Sequence, residues 1–118
     1  MIAEDGANDI INYPIKFVKG KLWVNNHAHV VAVKSTENSN HFLSYSLQTY
    51  NFEPLLVGGG RAKLNLSAML NVEIKLPNIK EQVQISRVMS SIDSFITLHQ
   101  RVDSFFNYWN LSGYYCGY

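Results

Sequence analysis

The sequence has little cysteine, no long apolar run and no secretory signal. Cys116 is the single cysteine among 118 residues, which excludes an intramolecular disulfide and a disulfide-stabilised secreted fold. The N-terminal MIAEDGANDI carries acids and lacks the basic start and apolar middle of a signal peptide. No apolar run approaches the roughly 18 residues that a membrane helix needs. These absences predict a cytoplasmic protein without a membrane span.

Motifs for catalysis or nucleotide binding are also absent. There is no G-x-S-x-G motif, and no pairing of Cys with His recommends a nucleophile. Glu4 and Asp5 are neighbours, so on a strand they would point to opposite faces and make a poor acid–base pair. The glycines at 58–60 lack the spacing of a phosphate loop, and a flexible surface loop is the commoner interpretation. The sequence predicts neither an enzyme nor a cofactor.

The histidines raise the question of a metal site. His27 and His29 are two residues apart, which on a strand would place both on one face. No further cysteine or carboxylate cluster lies nearby at ligand spacing, so a pair of polar strand residues is favoured. His41 is expected to be exposed in the first turn of a helix, and His99 to be a polar insertion in a helical seam. We predict no metal site.

Charge is scarce but unevenly distributed. The net charge of +1 is far below that of a protein that binds nucleic acid over its whole surface. Between residues 10 and 36 the only charged side chains are Lys16, Lys19, Lys21 and Lys34, and between residues 54 and 72 only Arg61 and Lys63. These acid-free segments predict a local basic face, and the glycine loop could present Arg61 and Lys63 to DNA.

Three strands are predicted in the first third of the chain, where β-branched and aromatic residues dominate. They are INYPIKFV, KLWV and HAHVVAV. Gly20 is expected to allow the positive φ of a tight turn between the first two. Tyr13, Phe17 and Trp23 could stack on bases, but aromatic residues on half-buried strands lie more often in the core.

The middle of the chain changes to helical spacing. Phe42, Leu43, Leu47 and Tyr50 predict a helix from about 39 to 51, with Asn38 or Ser39 as its N-cap. After it we predict a buried strand end at 55–57, a short helical turn capped by Asn65 and ending at Leu70, and a strand at 72–76 closed by Pro77.

A long helix is predicted from about Ile79, with Glu81 in its first turn, where negative charge suits the helix dipole. Residues then recur at alternating spacings of three and four: Ile85, Val88, Ile92, Phe95, His99, Val102, Phe106 and Trp109. A heptad seam of this length indicates a coiled coil. Met89 and Ile96 widen it. Because such a stripe must be buried, we expect it to pair with another helix, for example in a homodimer.

Four segments follow one another in a characteristic order: KLWVNNHAHVV, a helix around HFLSYSL, then GGGRAKLNLSAMLNVEIKLP, and NIKEQVQI opening the long helix. This order resembles the specificity subunit of type I restriction-modification enzymes. The family has a glycine loop, a small helix with Leu-Ser, a strand ending in Leu-Pro, and Glu-Gln shortly before an isoleucine. Here these are 58–60, Leu66 and Ser67, 72–76 with Pro77, Glu81 and Gln82, and Ile85. The resemblance covers roughly residues 1–101.

The resemblance implies an α/β (α+β) fold. Residues 1–78 would be the second half of a target recognition domain, a small mixed β-sheet with short helices. Residues 79–118 would be a long C-terminal spacer helix of coiled-coil type with an aromatic tail. In the family, two recognition domains each contact half of a split DNA target. Two spacer helices pack antiparallel to hold them apart.

The resemblance also implies partners and DNA contacts. A noncatalytic DNA reader of this family works with duplex DNA, methyltransferase (modification) subunits and restriction subunits. We carry DNA contact to Arg61, Lys63 and Asn65 in the glycine loop, and to Lys19, Lys21, Asn25 and Asn26 around the hairpin. One Arg or Asn side chain can make two hydrogen bonds to the edge of a base, whereas Lys more often holds phosphate.

The sequence departs from the family in two places. Recognition domains of the family are longer, with strands and loops before the position of Met1. After Arg101 the family continues with a lysine-rich helix, whereas this sequence reads VDSFFNYWNLSGYYCGY. We therefore expect a truncated or frameshifted piece. The alternative function is a helix-mediated assembly protein that binds no DNA and whose sheet only caps the helix.

Overall fold

A computed structural model describes residues 1–7, 12–58 and 62–113, with side chains for 1–5, 12–58 and 62–104. The elements are β1 (Ile2–Ala3), β2 (Asp5–Ala7), β3 (Ala28–His29), α1 (Asn40–Gln48), a 3₁₀ turn (Glu53–Leu55), β4 (Ala62–Lys63), α2 (Leu66–Leu70) and α3 (Ile79–Gly113). Short strands, short helices and one long C-terminal helix confirm the α+β prediction.

The strands form two antiparallel ladders that share one stretch of chain. β1 pairs with β3, and β2 pairs with β4 through a register irregularity. Between the ladders, the N–H of Glu4 donates to the carbonyl of His27 at 2.9 Å, and the carbonyl of Glu4 accepts from the N–H of Leu64 at 2.7 Å. The stretch from β1 to β2 is therefore hydrogen-bonded both to residues 27–29 and to residues 62–64, and β1 also forms a bridge to Ile15.

The core lies in the first of two compact units, Met1–Ser86 and Arg87–Tyr118. Its buried apolar side chains are Ile2, Tyr13, Leu47, Phe52, Leu64 and Met69. The rings of Tyr13 and Tyr50 each lie 5.0 Å from that of Phe52, centroid to centroid. The hydroxyl of Tyr13 donates to the carbonyl of Ala3 at 3.0 Å. Burial, and secondarily the charge of Asp5, raises the pKa of Tyr13.

The helices follow their predicted starts closely. Ser39 caps α1, its Oγ accepting from the N–H of Phe42 at 3.3 Å, and α1 ends at Gln48, earlier than the predicted 51. Asn65 is the N-cap residue of α2, which ends at Leu70 as predicted. α3 begins at Ile79 with Glu81 in its first turn. Within the described part of the chain, no helix is long and apolar enough to cross a membrane.

The predicted strands are mostly wrong in extent. The structure describes all of KLWV and gives it no strand. Of INYPIKFV it describes residues 12–18, which contribute a bridge from Ile15 to Ile2, and HAHVVAV contributes β3. Residues 55–57 end a 3₁₀ turn and enter a bridge from Val57 to Lys63, and no strand forms at 72–76, all of which are described. Strands need a hydrogen-bonded neighbour. The composition of a segment does not show whether it has such a neighbour.

Candidate nucleic-acid interface

The stretch from β1 to β2 is hydrogen-bonded to parts of the chain that border or contain two predicted DNA-contacting segments. Residues 25–27 precede β3, which pairs with β1, and Lys63 lies in β4, which pairs with β2. Glu4, between β1 and β2, connects the two ladders, because its N–H donates to the carbonyl of His27 and its carbonyl accepts from the N–H of Leu64. Together we call the two predicted DNA-contacting segments, residues 19–26 and 62–65, the paired-loop region.

The base of the glycine loop is closed by a pair of backbone hydrogen bonds. Val57 and Lys63 each donate an N–H to the other's carbonyl at 3.0 Å. Gly58 has a φ of +104°, which side chains rarely adopt, so a glycine suits the point where the loop leaves this bridge. Arg61 lies outside the described residues. Its predicted DNA contact stays a prediction from sequence.

Acidic side chains of the shared stretch pair with both flanking segments. The ammonium of Lys63 lies 3.1 Å from the carboxylate of Glu4, and the Nδ1 of His27 lies 3.1 Å from the carboxylate of Asp5. These acids thus take separate partners and do not form an acid–base pair. Lys63 is about half exposed, so water screens its ion pair and a phosphate could compete for it.

Asparagines of the region combine exposure with backbone roles. Asn25 accepts from the N–H of His27 at 3.1 Å through its Oδ1, which shapes the turn before β3, and Asn26 beside it is exposed. Asn65 is half-buried and makes no side-chain capping bond to α2, although its carbonyl accepts from the N–H of Met69 at 2.9 Å. The side chains of Asn26 and Asn65 are therefore not committed to helix or turn capping.

The lysines of the hairpin are exposed. Gly20, between Lys19 and Lys21, has a φ of +83°, which confirms the predicted positive φ, whereas residues 21–24 form no strand that would complete a hairpin. The ammonium of Lys19 lies 5.8 Å from the ring centroid of Phe17, a cation–π distance. The ring of Phe17 in turn lies 4.0 Å from that of His41 on α1. His41 is therefore partly buried, not exposed as predicted.

Tyr13, Phe17 and Trp23 were predicted to lie in the core, and this is right for Tyr13 alone. Tyr13 is buried, and Phe17 is partly buried. Trp23 is 94% exposed, so placing it in the core was wrong. The reason is that residues 21–24 form no strand, and without a sheet they have no inner face.

The two histidines near β3 take separate partners. His27 faces Asp5, whereas the Nε2 of His29 lies 2.8 Å from the carbonyl of Leu64. Among the described residues, no three His, Cys, Asp or Glu side chains gather at a spacing that could hold a metal ion. The hydrogen bond of His29 adds a second link between β3 and the segment after β4.

The start of α3 contains a buried amide that the sequence analysis overlooked. Gln82 is 1% exposed. Its Nε2 donates to the Oδ1 of Asn38 at 3.0 Å and to the carbonyl of Pro77 at 2.8 Å, and its Oε1 accepts from the N–H of Ser39 at 2.9 Å. The signal available in the sequence was a polar pair four residues apart, Gln82 and Ser86, which would share one helix face.

The predicted heptad seam differs in burial from Gln82 and Ser86. Gln82 and Ser86 are buried, whereas the apolar seam residues with described side chains, Ile85, Val88, Ile92, Phe95 and Val102, are 42–72% exposed. His99 is exposed and lies 3.6 Å from Asp103 one turn on. Phe106 and Trp109 lie within α3, but their side chains are outside the described residues. The described seam is thus open to solvent in the single chain.

Comparison with known proteins identifies the family to which this chain belongs. Residues 11–104 match the type I restriction modification DNA specificity domain. The chain therefore belongs to the family of type I restriction-modification DNA specificity domains, as its resemblance predicted. A curated type I restriction enzyme specificity subunit of Haemophilus influenzae is 39% identical to it over 92 residues, which are 78% of this chain and 24% of that protein. The chain spans about a quarter of that relative's length. No solved structure matches it.

Proposed function

We propose that this chain reads duplex DNA as a noncatalytic part of the specificity subunit of a type I restriction-modification enzyme. The observation that carries the proposal is the paired-loop region in a chain of this family. Both segments carry lysines and asparagines and come from acid-free stretches of sequence. The first precedes β3 and the second contains β4, and both strands pair with the stretch from β1 to β2. A local cationic surface of this kind suits a polyanion even though the whole chain is nearly neutral.

Within this proposal the contacts divide by chemistry. Lys19, Lys21 and Lys63 hold phosphates and set the register of the protein on the duplex. Amides and a guanidinium can bond to base edges in the grooves. That part falls to Asn25, Asn26, Asn65 and Arg61. Glu4 limits the contact of Lys63, because phosphate must displace a carboxylate that already lies 3.1 Å from its ammonium.

The test is a pair of opposite variants measured by duplex binding at several salt concentrations. Lys63→Ala should weaken binding to all sequences and reduce the slope of log affinity against log salt by about one. Glu4→Gln should strengthen binding, roughly two- to fivefold, because it releases Lys63 from its ion pair. Lys75→Ala and Glu73→Gln make the same charge changes at exposed residues outside the paired-loop region. They control for net charge.

Two results would contradict the DNA contact of this region. One is Lys63→Ala and Lys75→Ala weakening binding equally, which would indicate a nonspecific charge effect. The other is no salt-dependent binding to any duplex by the unaltered chain, which would remove DNA reading altogether. Arg61→Ala extends the test to the loop residue outside the described part, and loss of discrimination among duplex sequences is the expected effect.

The remaining roles follow the division into residues 1–78 and 79–118 that the resemblance implies. Residues 1–78 form the reading part, and residues 79–118 form a spacer and pairing helix with its aromatic tail. Methyltransferase and restriction subunits are the partners that a specificity subunit serves. The exposed seam also favours a second candidate function, an assembly protein that binds no DNA. Stable self-association without any duplex binding would select that candidate.

A further inference from the structure

The segment before β3 exposes an indole ring that no part of the described chain covers. Trp23 is 94% exposed, and its neighbour Leu22 is about half exposed. Tryptophan is among the most buried residues on average, and scattered exposed apolar residues are usually smaller. An aromatic ring of this size contributes binding energy when a partner covers it. Trp23 therefore needs an account beyond chance exposure.

The segment that carries Trp23 is anchored at both ends. Before it, the ring of Phe17 lies against His41 of α1 at 4.0 Å. After it, the carbonyl of His27 accepts from Glu4 at 2.9 Å, and Asn25 accepts from the N–H of His27 at 3.1 Å. Between these two contacts, the side chain of Trp23 is exposed to solvent on a short segment of chain. A ring held in this way loses less conformational freedom on binding than one on a free tail.

The charges around Trp23 indicate what would cover it. Lys19 and Lys21 precede it, both exposed, and no acidic residue occurs between residues 10 and 36. An apolar protein surface would gain nothing from Lys19 and Lys21, whereas a nucleic acid offers phosphates for the lysines and π faces for the ring. Asn25 and Asn26 follow within three residues and suit base edges. Charge complementarity therefore favours duplex DNA over a protein partner.

We propose that Trp23 packs its indole ring against bases of the bound duplex and supplies the non-ionic part of a contact whose ionic part is Lys19 and Lys21. This rests on the proposed function, and it adds a residue that sequence patterning placed in the core. Aromatic and apolar side chains that enter a groove partly unstack base steps. The contact of Trp23 should therefore persist at salt concentrations that weaken the lysine contacts.

The first measurement uses Trp23 as its own reporter. The chain has two tryptophans, Trp23 and Trp109, so the Trp109→Phe variant leaves a single indole. Titration of that variant with a duplex should quench the Trp23 emission, because stacking on bases quenches indole fluorescence. A fluorophore on the duplex reports binding independently in the same titration. Binding without any change in Trp23 emission would overturn the proposal.

The second measurement separates the ring from the charges. Trp23→Ala should lower duplex affinity roughly five- to hundredfold, the range for losing one base–aromatic stack. Its salt slope should stay unchanged, whereas Lys19→Ala should lower the slope by about one. Trp23→Phe should retain much of the affinity. Leu70→Ala removes a comparably exposed apolar side chain from α2 and should leave affinity unchanged.

The outcomes distinguish failure of this proposal from failure of the proposed function. Salt-dependent duplex binding with equal affinities for the unaltered chain and Trp23→Ala would overturn the role of Trp23 and leave DNA reading in place. Absence of duplex binding by every variant would overturn both. Unchanged duplex affinity together with a lower self-association mass in Trp23→Ala would place the ring between copies of the chain and overturn its DNA contact.

Discussion

Gln82 links the start of α3 to the start of α1 through three hydrogen bonds. It satisfies the carbonyl of Pro77 and both polar groups that Asn38 and Ser39 turn toward it. Buried polar groups are costly when they lose their partners, more so than the bonds themselves are worth. The backbone carbonyl of Gln82 in turn accepts from the Oγ of Ser86 at 2.7 Å. At the scale of one residue, Gln82 joins the first turn of α3 to the residues just before α1.

Gln82→Ala should lower the free energy of unfolding by about 2 to 3 kcal/mol, because the N–H of Ser39 and the carbonyl of Pro77 would be left in a cavity without partners. Urea denaturation followed by circular dichroism measures this as a lower midpoint. Gln84→Ala is the matched control, since Gln84 is an exposed amide on the same helix and should change stability by less than about 0.5 kcal/mol. Equal midpoints for the two variants would refute a structural role for Gln82.

Single residues also show where sequence reasoning succeeded. Gly20 was assigned a positive φ because a turn was required between Lys19 and Lys21, and the structure gives it one. Trp23 was placed in the core on the strength of a strand that does not form. The difference is that the turn depends on local backbone conformation, whereas the burial of Trp23 depends on a distant partner strand.

Helices were predicted well because their signals are local. Ser39, Asn65 and Ile79 mark helix starts in both the sequence and the structure. Residues 72–76 show the opposite case. Val72 and Ile74 are partly buried and pack on the core, while Glu73 and Lys75 are exposed, so the predicted alternation of faces is present. No neighbouring chain hydrogen-bonds to them as a strand in the described residues, and alternation alone does not reveal that.

The first turn of α3 carries a reciprocal capping box that predicts a measurable loss of helix. The N–H of Glu81 donates to the Oδ1 of Asn78 at 3.1 Å, and the N–H of Asn78 donates to the carboxylate of Glu81 at 3.3 Å. Asn78→Ala should lower the free energy of unfolding by about 0.5 to 2 kcal/mol. Thermal unfolding followed by circular dichroism tests this, with Asn78→Ser as the variant that keeps a capping oxygen. If Ala and Ser variants melt together, the box contributes nothing.

At the scale of the whole molecule, the first unit has its own core, whereas residues 91–104 of α3 are exposed along their whole described length. A helix of this length with an uncovered apolar stripe is marginal in water, because most helix stability in proteins comes from packing. The seam from Ile85 to Val102 therefore argues that a second helix covers it. Since the described seam residues are exposed in this chain, we propose that a second copy supplies the covering helix.

Ile92→Asp tests this at the centre of the seam. The unaltered chain should show a concentration-dependent mass that reaches twice that of one chain in light scattering. The variant should raise the dissociation constant at least roughly tenfold, because a carboxylate would be buried without a partner between two apolar stripes. Ser94→Asp adds the same charge to the same helix at an exposed position off the seam, so it should dimerise like the unaltered chain. A monomeric mass for all three chains would show that the seam does not pair copies of this protein. If both aspartates weaken dimerisation equally, the cause would be charge repulsion along α3 and not disruption of an apolar interface.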